Sequence, residues 1–233
     1  MTYTMLLVLL IGYIIGSTPF AFLVSKARGG NIFAQGSGNP GATNTLAVYG
    51  KGAAVTVLVC DILKGLIPTL LVLLITDDQV LAFCTAAGAV LGHVFSFYTG
   101  FRGGKALATA GGAILALYPL PLIIIVLSYV LLVLLIRYIV IATTLVILGA
   151  VGFFLWIDQP LGSTMALLVM VAGILYRHLP NWERIYLKNE PQIKHKIAEI
   201  ELERLPKDKQ AMLKVVYWIV AIACIATVYY VKS

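Results

Sequence analysis

Two runs, LIIIVLSYVLLVLLI (Leu122–Ile136) and YIVIATTLVILGAVGFFLWI (Tyr138–Ile157), carry no charge and are separated only by Arg137. A helix that is apolar on every face over such lengths has lipid or a large protein core around it, and about 20 apolar residues span a bilayer. Similar runs lie on both sides: about Tyr3–Val24, Gly52–Ile75, Val80–Tyr98 and Leu161–Tyr176, a shorter one at Ala106–Leu117, and a last one at Val215–Val231. Of the 233 residues, 61% are hydrophobic and 12% charged. So few charges cannot clothe a water-facing surface, and disordered chains are polar and charge-rich. The sequence therefore predicts an all-α, polytopic integral membrane helix bundle with a seven-helix core and an eighth C-terminal span. Residues 1–190 form the core, 191–214 a cytoplasmic amphipathic linker with Ile193, Ile197 and Ile200 at helical intervals, and 215–233 the extra span.

The formal charge of +7 is scattered between apolar runs rather than gathered into a basic, aromatic-interleaved surface, so no nucleic acid is expected as a partner. The three cysteines lie in apolar runs without a CxxC, which indicates neither a disulfide framework nor a metal site. No charge precedes Lys26, so the first run is expected to stay as a membrane helix rather than a signal peptide. Alternating spans put Lys26, Arg28, Lys51, Arg102, Lys105, Arg137 and Arg177 on one side and Asp77, Asp78, Asp158 and Lys232 on the other. By the positive-inside rule the basic side is cytoplasmic and the amino terminus outside, and the charge count favours a full crossing by Ala106–Leu117.

Three cytoplasmic stretches are more polar than a membrane fold requires. In Gly36-Ser37-Gly38-Asn39-Pro40-Gly41-Ala42-Thr43-Asn44, glycine-permitted amides alternate with Ser, Thr and Asn side chains, an arrangement that binds phosphate or forms an ordinary turn-rich loop. A helix starting near Thr45 would add its positive end. Gly50 lies outside this cluster, so Gly38→Val is expected to be more damaging than Gly50→Val. In Phe101-Arg102-Gly103-Gly104-Lys105-Ala106, two glycines flanked by cations open a helix, which suits a phosphate cradle or simple interfacial anchoring. It is not a Walker A loop, because Ala106 stands at the Ser/Thr position. In Arg177-His178-Leu179-Pro180-Asn181-Trp182-Glu183-Arg184, the polar groups could bind an anion and a hydroxyl, or anchor the span at the interface. Asp61 and Lys64, three apart within a span, read as a mutual structural pair, with direct catalysis as the alternative. His93, at a membrane boundary near Arg102–Lys105, is either a hydrogen-bonded structural histidine or a base.

With these motifs in this order, the chain resembles the bacterial acyl-phosphate-dependent glycerol-3-phosphate acyltransferases, the PlsY family. The resemblance begins at Gly12-Tyr13-Ile14-Ile15-Gly16-Ser17-Thr18-Pro19 and continues through Gly36–Asn44, Asp61 with Lys64-Gly65, Gly92-His93, Phe101–Lys105 with Ala108-Thr109, and His178 with Asn181 and Arg184 to about Glu190. It implies a seven-helix enzyme of the bacterial cell membrane that needs no cofactor or metal. Its substrates would be acyl phosphate and sn-glycerol 3-phosphate, and its products lysophosphatidate and phosphate. Ser37, Gly38, Asn39, Gly41, Thr43, Asn44, Arg102, Gly103, Gly104, Lys105, Arg137, Thr143 and Arg184 would then bind substrate phosphate. His93, His178 and Asn181 would serve the reacting hydroxyl. Some family positions differ: Ala47 replaces an arginine, Val140 and Thr143 two serines, Leu179 a basic residue and Ala106 a glycine. These departures keep two alternatives open, a non-catalytic relative and a membrane transporter for a phosphorylated metabolite that uses the same glycine-rich breaks.

Overall fold

The computed structural model describes residues 2–192, and all of its regular structure is helical. The expected linker and the eighth span, Val215–Val231, lie outside the described residues. In order come α1 (Thr2–Gly16), α2 (Phe20–Ala27), α3 (Ala42–Thr76), α4 (Gln79–Val94), α5 (Leu107–Leu117), α6 (Pro119–Ile136), α7 (Ile139–Trp156) and α8 (Leu161–Tyr186). Short 3₁₀ turns at Ile32–Ala34 and Phe97–Thr99 interrupt the connections. Among the described residues, six helical stretches are long and apolar enough to cross a membrane, counting α1 and α2 as one. At 11 residues, α5 is about 16 Å long, roughly half the hydrocarbon thickness, so its own length does not carry the full crossing expected of Ala106–Leu117.

Two compact units are present. Among the described residues, the first comprises 2–119 and 160–179, and the second 120–159 and 180–192. In the first, α1 packs most extensively on α4, and α3 on α5. Glycine makes both contacts possible. A Cβ at Gly12 or Gly16 would strike the backbone of Thr85 or Ala89, and one at Gly88 or Gly92 that of Leu9 or Tyr13. Each helix thus presents two glycines four residues apart to its partner's backbone, the close packing that replaces hydrophobic driving force within lipid. Gly65 and Gly112 do the same between α3 and α5, against the carbonyls of Thr109 and Ile62. Outward-facing Leu6, Leu7, Leu10, Leu71 and Leu74 are exposed, as befits an exterior solvated by lipid.

The first span is interrupted at Ser17-Thr18-Pro19, where proline cannot donate to the helix. Side chains from elsewhere in the chain cap the break: Ser17 O accepts from Ser96 Oγ at 2.5 Å, and Thr18 O accepts from the Phe20 amide at 3.2 Å and from Lys64 Nζ at 2.9 Å. A second interruption lies within α3, where Gly50 has φ +81° and ψ −179°. Only glycine adopts that conformation readily, so a side chain at Gly50 is strained as well, although the position lies outside the first loop's cluster. The second unit holds α6, α7 and the end of α8. Arg137 joins α6 to α7 at φ +65°, and the Tyr138 hydroxyl accepts a hydrogen bond from Gln192 Nε2 at 2.8 Å.

Candidate active site

The first glycine-rich stretch is anchored at Ile32, which is fully buried against Ala21 and Val57. Asn44 closes the loop. Its Oδ1 accepts from the Ser37 amide at 2.9 Å, and its Nδ2 donates to the carbonyls of Gln35 (3.0 Å) and Ile32 (3.4 Å). That side chain is therefore committed to holding the loop, which changes what can be asked of it as a phosphate ligand. Gly36 and Gly38 have φ of +56° and +69°, and a Cβ at Gly36 would strike Asn44 Oδ1. Helix α3 begins at Ala42, three residues earlier than expected, with Gly41 as its N-cap. The helix's positive end thus falls within the motif, beside Thr43.

The second stretch meets the first. The Arg102 guanidinium lies over the Phe33 ring at 4.9 Å from its centroid. Gly104 is buried close enough to Pro40 O and His93 Nε2 that a Cβ would strike both. Two hydrogen bonds fix the turn: the Gly104 amide donates to His93 O at 3.1 Å, and Arg177 Nη2 donates to Gly103 O at 2.6 Å. Lys105 follows, half-buried, and Ala106 leads into α5 at φ +59°. Here the family's glycine is the residue that the backbone prefers, and alanine costs about 1–2 kcal/mol in this left-handed conformation.

One pocket lies between these loops and the break in the first span, lined by Ser17–Ala21, Pro40, Asp61, Lys64, His93, Ser96 and Arg102–Gly104. Asp61 and Lys64 are buried and paired at 2.9 Å. His93 Nδ1 lies 3.1 Å from Thr109 Oγ1 and 3.6 Å from Asp61 Oδ1. Among the described residues, no group of three or more His, Cys, Asp and Glu could hold a metal ion.

The remaining candidates fall elsewhere. His178 is fully buried near the end of α8, with Nδ1 2.8 Å from Ile174 O, and does not line this pocket. A carbonyl can only accept, so Nδ1 carries a proton. Arg137, Thr143, Asn181 and Arg184 belong to the second unit. There Asn181 Nδ2 and Arg184 Nε clasp the two oxygens of Glu190 at 2.6 and 2.7 Å. Sequence reasoning assigned no role to Glu190, nor to Arg177 as the donor to Gly103. Both are long-range or loop contacts without a periodic signal.

Two predictions arise here. Gly38→Val is expected to lower activity by about a hundredfold, because a β-branched residue resists φ +69°. Gly52→Val, which meets nothing within 4 Å, should stay near the native rate; equal rates in both variants would reduce the loop to a passive connection. Glu190→Ala unclasps Asn181 and Arg184 and is expected to cut kcat/KM about tenfold, since a charge-assisted contact contributes about 1.5–3 kcal/mol. Arg184 is 43% exposed, so the lower end of that range applies. Glu190→Gln, which keeps an acceptor, should lose less.

Membrane-length spans with glycine-rich loops around a buried ionic pocket define a polytopic membrane protein with a candidate anion-binding site. Comparison with known proteins identifies the family. The family model for glycerol-3-phosphate acyltransferase matches residues 6–188. Proteins named glycerol-3-phosphate acyltransferase from Geobacillus kaustophilus (strain HTA426) and Halorhodospira halophila (strain DSM 244 / SL1) are 37% and 38% identical over 81% and 80% of this chain, and 95% of each relative is covered. The chain is similar to the crystal structure of PlsY (YgiH), an integral membrane glycerol 3-phosphate acyltransferase, in its glycerol 3-phosphate form. The TM-score is 0.76 and the identity 31%, over 84% of this chain and 98% of that one. The lysophosphatidic acid form gives 0.73 and 32%, over 81% and 94%. The chain belongs to the glycerol-3-phosphate acyltransferase family and is a membrane acyltransferase.

Proposed function

We propose that the chain transfers the acyl group of an acyl phosphate to the 1-hydroxyl of sn-glycerol 3-phosphate, at the cytoplasmic face of a bacterial cell membrane. The hydroxyl oxygen bonds to the acyl carbon, the acyl–phosphate bond breaks, and lysophosphatidate and inorganic phosphate leave. The observation that carries this reading is the meeting of two glycine-rich loops beside Arg102 and Lys105. Two phosphorylated substrates call for such paired anion cradles, and the similar PlsY structures are described in glycerol 3-phosphate and lysophosphatidic acid forms.

Phosphate is a good leaving group, so the protein has to hold the hydroxyl about 3–3.5 Å from the acyl carbon and stabilise developing negative charge. No HxxxxD motif is present in the sequence, which argues against that class of acyltransferase chemistry. In this reading Ser37, Gly38, Asn39, Gly41 and Thr43, with the loop clamped by Asn44, bind phosphate together with Arg102, Gly103, Gly104 and Lys105. The family resemblance gives His178, Asn181 and Arg184 the orienting of glycerol 3-phosphate, and gives Arg137 and Thr143 phosphate contacts. His93, His178 and a departing phosphate oxygen are the candidate acceptors of the hydroxyl proton.

The test uses membranes containing the protein, supplied with acyl phosphate and labelled glycerol 3-phosphate. Labelled lysophosphatidate with stoichiometric phosphate release is expected. Uptake of label into sealed vesicles without product would favour a transporter, and neither outcome would favour a non-catalytic relative, which the replacements at Ala47, Val140 and Leu179 make a meaningful control.

A further inference from the structure

Pro19 breaks the first span, and a buried lysine from α3 donates to the Thr18 carbonyl at the break. Lys64 is 5% exposed, and an ammonium buried within a membrane-length helix requires a counter-charge, which Asp61 supplies. Asp61 also reaches the neighbouring helix: its Oδ1 lies 3.6 Å from His93 Nδ1, on the side where Thr109 Oγ1 lies at 3.1 Å. At 3.6 Å the carboxylate acts on the Nδ1 edge through its charge, while Thr109 Oγ1 makes the hydrogen bond that orients the ring. The other ring edge, Nε2, lies beneath Gly104, and the His93 carbonyl receives the Gly104 amide. Asp61 therefore connects Lys64 and the Thr18 break on one side with the Gly103-Gly104 turn on the other.

We infer that Asp61 and Lys64 are positioning residues that hold the Gly103-Gly104 turn and the Ser17–Ala21 break as facing walls of one pocket, rather than a pair that only offsets its own burial. The inference rests on reading that turn as a substrate phosphate site. Neither residue is assigned a bond to substrate. They act through His93 and through Thr18.

Replacing a buried ion pair by apolar side chains of similar volume is often neutral or stabilising, so the double variant Asp61→Leu/Lys64→Met separates the two roles. A purely structural pair predicts a folded protein with native kinetics. A positioning pair predicts a folded protein whose KM for glycerol 3-phosphate is about tenfold higher, with a smaller change in kcat, as expected when uniform binding is lost. A folded double variant with unchanged KM overturns the inference. If the double variant does not fold, Asp61→Asn, which keeps the volume and an acceptor for Lys64, is judged by the same split; failure of both to fold also overturns it, the pair then being a stability element. Protection by inorganic phosphate against thermal unfolding needs no turnover and is expected to be smaller in the variant than in the native protein. Equal protection overturns the inference. Unequal protection without acyl transfer by the native protein would uphold it while removing the acyltransferase reading of the pocket.

Discussion

Lys105→Ala is expected to lower acyl transfer by about a hundredfold or more while the protein still inserts and folds. Lys105 follows the buried Gly103-Gly104 turn and stands two residues before α5, which sets its charge beside the helix's positive end, where an anion is favoured. Removing one preorganised contact to developing charge typically costs about 10²–10³ in rate. Lys105→Arg should recover part of the loss, since charge is kept while the compact ammonium becomes a planar fork. The measurement is the initial rate of lysophosphatidate formation by purified protein with a native thermal midpoint. Native rates for Lys105→Ala would remove the phosphate cradle from the second loop.

Gly104→Val is the second large effect, and it removes no charge. Its new carbon would strike His93 Nε2 and Pro40 O, the latter at 2.8 Å, so either the turn lifts away or the first loop shifts. Displacement of a substrate-holding group by about 1 Å can cost about a hundredfold in rate. Gly111→Val provides the control, because nothing lies within 4 Å of a Cβ there and only the intrinsic helix preference changes. Comparable rates in the two variants would mean that the glycines of the second loop serve chain flexibility rather than close approach.

The membrane class was legible because lipid as solvent demands long runs without charge, and α6 and α7 meet that demand without interruption. The glycine-rich stretches could be found because few other residues permit φ values such as +69° at Gly38. Asp61 and Lys64 could be paired from their spacing alone. Other features leave no local trace. Nothing in the chain announces that Lys64 reaches back to Thr18, that Arg102 settles on Phe33, or that Arg177 holds Gly103. The glycines of α1 and α4 were visible, but their mutual contact depends on which helices become neighbours. The conformation of Gly50 was hidden as well, because a glycine forced by the backbone looks, in sequence, like one that is merely tolerated.

The pairing of α1 with α4 also sets the order of assembly. A chain delivered to the bilayer from its amino terminus offers α1 to lipid well before Gly88 and Gly92 exist, and α2 and α3 must emerge in between. During that interval α1 must persist as a solitary span, which its lack of any charged residue allows. When α3 enters, Lys64 can add its hydrogen bond to the Thr18 carbonyl, so the break is held before its flanking helix acquires its main partner. Arrival of α4 then closes the glycine contact, and the pocket comes into being only as α5 follows with Thr109 and the turn before it.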